Sequence, residues 1–205
     1  MPEGGFWRRA AGCWAGEASY FDGDMQPIVA AYGNVLRIAL GAEGALTIHE
    51  WKQYPASELA RKAAGSPLPD GEGFEVASLQ QGRLGTDDAL ELAGQGRFVS
   101  LDRHSAVRDL LDPATGMPRY RTWHTLPSDD VLATTQFGIY FTPFEADYYN
   151  RPLRDPVSGE TRPNSRLGQL KGISVFRYRR IAPEQLEAAR AERRARFLIR
   201  TPARA

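Results

Sequence analysis

Tyr120, His124 and Leu126 alternate with Arg121, Trp123 and Thr125 along one extended stretch, so two sets of chemically able side chains share a strand but face opposite ways. A histidine beside a phenol, with a carboxylate in reach, is a minimal set for acid–base chemistry without a cofactor. The imidazole moves the proton, and a Tyr or Arg donor holds a developing oxyanion. Tyr140, on the returning strand, can join the His124 face. If the opposite face points inward instead, Arg121 would bind an anion and Trp123 would stack on a ring. Alternation leaves this choice open, because a one-residue slip inverts it. His49, which shares a face with Thr47 and Trp51, is a second acid–base candidate, and Trp51 is a second ring for a ligand.

Other residues can hold a substrate. Arg177 and Arg179 share a face with Ile173 and Val175 on the last strand, and inward arginines there need a carboxylate such as Glu17 or an anionic ligand. Tyr148 and Tyr149 follow Glu145 and Asp147, and each can offer a ring and a hydroxyl to cap a pocket. His49 and His124 with Glu17 or Glu50 would also make a two-His, one-carboxylate metal set. No HxH or HxxxH spacing supports it, so no metal is expected. No phosphate-binding glycine loop, nucleophile elbow or zinc-ligand array is present, and the expectation is a site without cofactors.

These residues sit on a chain patterned for strands. Arg119 to Phe144 reads as two long strands around Pro127-Ser128-Asp129-Asp130. Both of their faces mix aromatics with hydrogen-bonding groups, which suits the wall of a lined cavity better than a sheet with one polar and one apolar face. Upstream, Gly12 to Phe21, Val35 to Leu40 and Ala45 to Tyr54 read as strands, the last two joined by the hairpin turn Gly41-Ala42-Glu43-Gly44. Phe74 to Gln80, Asp88 to Ala93 and Arg97 to Asp102 follow as short strands, Asp88 to Ala93 being equally readable as a helical turn. Leu170 to Ile181 is the last strand. Helices are expected at Phe6 to Ala11, at Ser57 to Ala64 with Ser57 as N-cap, at Ser105 to Leu111, and at Glu184 to Leu198 behind Pro183. The irregular, proline-rich segment 144–168 has the length of a functional lid.

About eight to ten strands in series, with helices at the margins, predict a mainly β chain: an antiparallel up-and-down barrel with short flanking helices and a C-terminal helix. The runner-up is a cone-shaped α+β fold. A single barrel domain over residues 1–205 is expected, with 183–205 as helix and basic tail. The 205 residues include 42% hydrophobic and 25% charged side chains and carry a net charge of +1, so bulk electrostatics makes no case for nucleic acid or membrane. Nine Arg against three Glu from Arg177 onward nonetheless concentrate about +6 at the C-terminal end. The single cysteine, Cys13, cannot form an internal disulfide, and no secretory or membrane-spanning run is visible, which together predict a cytoplasmic protein.

Gly12-Cys13-Trp14-Ala15-Gly16-Glu17 resembles the opening of the calycin barrels. Lipocalins begin their first strand with Gly-x-Trp after a short helix, and nitrobindin-like bacterial domains with Gly-x-Trp-x-Gly-Glu. The resemblance implies a lipocalin-like barrel whose mouth takes a small apolar ligand. It also implies that the Trp closes the barrel floor under an Arg of the last strand, a role that Trp14 with Arg177 or Arg179 would fill. Haem-binding nitrobindins carry a late-strand His, which Leu170 to Ile181 lacks, so haem is not expected.

Two function classes follow. One is a cofactor-independent lyase, isomerase or cyclase acting by proton transfer on a hydrophobic, aromatic molecule in the barrel. The other is a non-catalytic carrier of such a molecule. A third, an interaction module built on the basic C-terminal helix, predicts salt-sensitive association. A homodimer stays open.

Overall fold

A computed structural model describes residues 5–22, 25, 27–56, 73–93, 96–111, 118–139, 153–154, 161–162 and 170–198. The chain opens with a short helix, α1 (Phe6–Ala10), and runs through β1 (Gly12–Asp22), β2 (Pro27–Leu40), β3 (Ala45–Tyr54), β4 (Phe74–Leu84), β5 (Leu90–Leu92) and β6 (Gly96–Asp102). It continues through β7 (Ser105–Leu111), β8 (Pro118–Ser128), β9 (Val131–Ile139), β10 (Leu153–Arg154), β11 (Thr161–Arg162) and β12 (Leu170–Ile181), and ends in helix α2 (Leu186–Phe197). Ten strands close a barrel in the order β1-β12-β9-β8-β7-β6-β5-β4-β3-β2, with antiparallel neighbours throughout; β10 and β11 pair separately. The expected antiparallel barrel is the observed architecture. Among the described residues no helix is long and apolar enough to cross a membrane.

Local readings differ from the structure in three places. Ser105–Leu111 is strand β7, not a helix. Val107, Leu110 and Leu111 have helical spacing, but β6 and β8 both offer backbone partners, with Phe98 opposite Arg108 and Ala106 opposite His124. A seven-residue helix has too few internal bonds to compete with two ladders. β2 begins at Pro27, eight residues before Val35, and only Leu90–Leu92 of Asp88 to Ala93 pairs as strand. The helix expected at Ser57 to Ala64, Tyr140, and the lid-like segment with Tyr148 and Tyr149 lie outside the described residues.

Closure decides which face is inside. Trp14, Leu36, Ile38, Leu46, Phe98, Leu126 and Leu132 are buried on the inner surface, together with Phe6 and Trp7 of α1, which plugs one end. The outer surface has its own small core, where Cys13, Val35 and Trp51 are covered by Leu186 at the start of α2. There α2 is clamped by ion pairs. Arg190 and Arg194 both grip Glu75, with Nη2 donating to Oε1 at 2.5 Å and Nε to Oε2 at 3.0 Å in each, and Arg190 Nε is shared with Oε1 at 3.1 Å. Gln53 Nε2 donates to the same carboxylate at 2.8 Å. Arg193 Nε reaches the Gly16 carbonyl at 2.9 Å, and Arg196 pairs with Glu17. Much of the C-terminal positive charge is therefore held against the barrel.

The clamp makes a pH prediction. Burial pushes the Glu75 carboxyl up, but the donors from Arg190, Arg194 and Gln53 outweigh it and hold the group at about 2. A carboxylate depressed on folding contributes stability that is fully present above its unfolded value, near 4.5, and that is lost as pH falls toward 2. Glu75→Gln is expected to cost about 2 kcal/mol at neutral pH. It should also flatten the fall in stability across that acid window, measured by urea unfolding at several pH values.

Candidate functional site: the barrel lumen

Inward side chains make a lumen that is aromatic and polar. Tyr32, Tyr54 and Phe74 lie side by side on β2, β3 and β4, with Tyr32 stacked on Tyr54 at 4.6 Å between ring centroids and Tyr54 on Phe74 at 5.2 Å. Phe176 meets Tyr32 edge-on at 6.0 Å and runs parallel to Tyr178 at 6.2 Å. Beside this ladder Glu50 and Lys52 point inward from β3. Lys52 Nζ lies 3.2 Å from Glu50 Oε2, and Asn34 Nδ2 donates to Glu50 Oε1 at 2.8 Å. The Lys52 ammonium also sits 5.4 Å from the centre of the Phe176 ring, on a strand that does not adjoin β3, so it reaches across the lumen. The Lys52 and Glu50 side chains keep 24% and 16% of their surface accessible. Since both lie on the inner face of a closed wall, that surface opens into the lumen.

The protonation states follow from burial and neighbours. Burial works against the Lys52 charge, but the Glu50 carboxylate prevails and the amine is raised, so it stays an ammonium. Tyr32 and Tyr178 are pushed well above the ordinary phenol value, mainly by burial, and Tyr54 is raised for the same reason. All three remain neutral phenols. Tyr32 is in hydrogen-bond reach of Tyr54 and Ser174, and Tyr178 of Asn34. The Glu50–Lys52 ion pair thus sits among hydroxyl groups and aromatic faces.

A second polar group lies nearer α1. His124 points inward, with Nδ1 2.7 Å from Thr134 Oγ1 and its ring 5.0 Å from Phe98, 5.7 Å from Trp7 and 6.3 Å from Phe6. Burial, followed by the positive charge of Arg108, holds the imidazole down at about 3. It is neutral at physiological pH and a weak base, unlike the histidine near its working pKa that acid–base chemistry favours. Tyr120 also points inward, opposite Leu110 and Gly138, and is half-buried.

Other residues proposed from sequence lie outside the barrel. Arg121 is on the outer face and binds Asp109 through two bonds of 2.6 Å; Trp123, also outward, is 44% exposed. His49 packs on Trp51 at 3.8 Å on the outer surface, where Arg190 covers the indole at 5.1 Å. His49 and His124 are therefore on opposite faces of the wall and do not form a two-His site. Glu17 faces outward to Arg196, and Arg177 and Arg179 are outward and exposed. The Ile173–Val175 alternation suggests an inward apolar face on β12. The opposite set, Ser174, Phe176, Tyr178 and Arg180, is inward instead: on this strand the lumen face carries the aromatic and polar groups, and Ile173 and Val175 lie on the outer face.

The floor arginine is consequently Arg180, not Arg177 or Arg179. Its guanidinium lies 4.1 Å above the Trp14 ring. It donates to the carbonyls of Asp129, Ala11 and Arg9 at 2.6, 2.7 and 2.6 Å, tying α1 to the β8–β9 turn. Trp14 Nε1 donates to the Ala10 carbonyl at 2.8 Å. Sequence reading also passed over Asn34, Tyr32, Tyr54, Lys52, Arg108 and Thr122 as lumen residues. One signal for Glu50 and Lys52 is visible: the run Leu46, Ile48, Glu50, Lys52, Tyr54 places two opposite charges on an otherwise apolar face.

No family model matches the chain, and no curated protein matches it. Among solved structures it is similar to a protein of unknown function from the DUF3598 family of Nostoc punctiforme, at 11% identity and a TM-score of 0.52 over 85% of this chain. The chain spans about half the length of that protein, 49%. It is also similar to the S-type phycobiliprotein lyase CPES from Guillardia theta (10% identity, TM-score 0.46, 86% of this chain and 90% of that one). The siderocalin Ex-FABP is more distant, at 12% identity and a TM-score of 0.27 over 96% of this chain and 92% of that one. At these identities the likeness is one of fold, and the chain is a closed antiparallel β-barrel.

Proposed function

We propose that the protein binds a small, hydrophobic and aromatic molecule in the lumen of its barrel. The observation that supports this best is accessible surface on inward residues, above all Lys52 and Glu50, beside the stacked Phe74–Tyr54–Tyr32 wall. A ring can lie on that ladder while the hydroxyl groups and the Glu50–Lys52 pair orient its polar end, the usual division of labour in ligand pockets. A second reading, cofactor-free proton-transfer catalysis in the same lumen, draws support from a carboxylate and an ammonium close to several neutral phenols. In it Tyr120 and the Glu50–Lys52 pair carry more of the chemistry than His124.

Binding is tested with the neutral fluorophore N-phenyl-1-naphthylamine. Gln136 faces inward and its neighbour Thr135 outward, so Gln136→Trp fills the lumen and Thr135→Trp leaves it open. Saturable one-to-one binding is expected in the native protein and in Thr135→Trp, with at least about tenfold weaker binding in Gln136→Trp. Equal affinity in all three would place the probe outside the barrel and end the lumen reading.

A further inference from the structure

We infer that the ligand of this lumen carries a neutral carbonyl oxygen conjugated to its ring system, as in an aryl ketone or amide, and that the Lys52 ammonium donates a hydrogen bond to that oxygen. The inference rests on the lumen-binding reading above and adds which polar group the ligand bears and which residue holds it.

Lys52 and Glu50 point inward from β3, on the face that also carries Ile48 and Tyr54. An ammonium has three N–H donors and accepts nothing. One donor is directed at Glu50 Oε2, 3.2 Å away. The side chain nonetheless keeps 24% of its surface accessible, and that surface faces the lumen. The nitrogen stands 5.4 Å from the centre of the Phe176 ring on β12. Tyr120, inward and half-buried on β8, is near enough to act on its charge. In the closed order of ten strands β3 and β8 lie directly opposite each other. The ammonium therefore projects into the space between the walls, with donors to offer there.

Glu50 decides the charge of the group that can be received. Its carboxylate offsets the ammonium, and a ligand carboxylate or sulfonate brought to Lys52 would be brought to Glu50 as well. Like charges so close in a site shielded from water repel. A neutral oxygen avoids that repulsion and still receives a charge-assisted hydrogen bond. A ligand donor finds less to bind. Glu50 Oε1 already accepts from Asn34 at 2.8 Å and Oε2 faces Lys52. The hydroxyl groups of Tyr32 and Tyr178 are engaged by Tyr54, Ser174 and Asn34. Asn34 Oδ1 accepts no bond but is fully buried, beyond a ligand's reach. Conjugation keeps a carbonyl in the plane of its ring. An oxygen held at Lys52 thus sets the ring system against the Tyr32, Tyr54 and Phe176 wall.

The probes are 6-propionyl-2-(dimethylamino)naphthalene and 6-propyl-2-(dimethylamino)naphthalene, which share ring, amine and chain and differ by the carbonyl oxygen. The native protein should bind the ketone about tenfold more tightly than the alkyl probe. The bound ketone should emit to the red of its position in cyclohexane, as this fluorophore does when its oxygen accepts a hydrogen bond. Glu50→Gln combined with Lys52→Met removes both charges together, so neither is left unpaired, and should bring the ratio of the two affinities to about one or below. The emission of the bound ketone should then move to the blue. Lys52→Gln keeps a neutral donor beside Glu50 and should lower the ratio about threefold. Equal affinity for the two probes in the native protein, or emission at the cyclohexane position, overturns the inference and leaves lumen binding standing. So does an undiminished ratio in whichever variant folds. The affinity ratio and the emission of the native protein decide the matter if neither does. If neither probe binds, or both bind Gln136→Trp as tightly as the native protein, the lumen reading fails first and the inference with it.

Discussion

Trp14→Ala is expected to lower the free energy of unfolding by about 3–5 kcal/mol, which for a chain of this size corresponds to a fall in Tm of roughly 10–15 °C. Trp14 is fully buried at the point where the barrel floor, α1 and the closing strand pair meet. Its removal leaves a cavity, frees the Ala10 carbonyl from its 2.8 Å bond, and strips the apolar face from under the Arg180 guanidinium. Arg180 would keep its three carbonyl acceptors but lose the ring that orients it. Trp14→Phe should recover over half of the loss, since it restores most of the buried area but not the N–H donor. Equilibrium urea unfolding checks both variants. A loss below 1 kcal/mol for Trp14→Ala would mean that α1 and Arg180 hold the floor without the indole.

The other large effect is expected at Gly16. A Cβ there would stand 2.0 Å from the Arg177 carbonyl oxygen and 2.9 Å from the Tyr178 Cα. Both are backbone atoms of the neighbouring strand, so no rotamer change relieves the clash, and β1 must move away from β12. That pair closes the barrel. Gly16→Ala is expected to cost about 3 kcal/mol or more. Gly41→Ala is the contrast: its nearest neighbour is a side-chain Cβ at 3.4 Å, and it should cost under about 1 kcal/mol. Comparable midpoints and slopes for the two variants in urea would disprove the requirement for a bare backbone at Gly16.

These two positions show why the Gly12 to Glu17 motif was legible as a unit. Trp14 supplies the floor, Gly16 admits the backbone of the last strand, and Gly12 holds a φ of +143° where a Cβ would meet the Arg180 guanidinium. Each requirement is local to one strand crossing, so it leaves a mark at fixed spacing. The hairpin at Gly41 to Gly44 was legible for the same reason, with Glu43 and Gly44 both at positive φ.

The lumen was legible only by halves. Period-two alternation sorted Tyr120 and His124 from Arg121 and Trp123, and Phe176 and Tyr178 from Arg177 and Arg179, but it carries no sign for inside and outside. An apolar-inside rule chooses the Ile173 and Val175 face of β12, and it fails because the lumen is polar and aromatic. On β3 the same ambiguity hides Lys52 behind Trp51: the indole is buried, but beneath α2 on the outer wall.

By itself, the amino-acid sequence determined the antiparallel barrel and the membership of the two faces of each long strand, because alternation, turns and glycine spacing act over a few residues; the floor role of Trp14 came from the resemblance of its motif. The tertiary structure decided which face is the lumen, that Arg180 caps the floor, that Ser105–Leu111 is a strand, and that Glu50, Lys52, Arg108 and Thr122 line one space. The strand at Ser105–Leu111 follows from its ladders with β6 and β8; the other outcomes depend on closure of β1 against β12 and on α2 docking on the outer wall, contacts between residues more than a hundred positions apart, whose free energies no local pattern encodes.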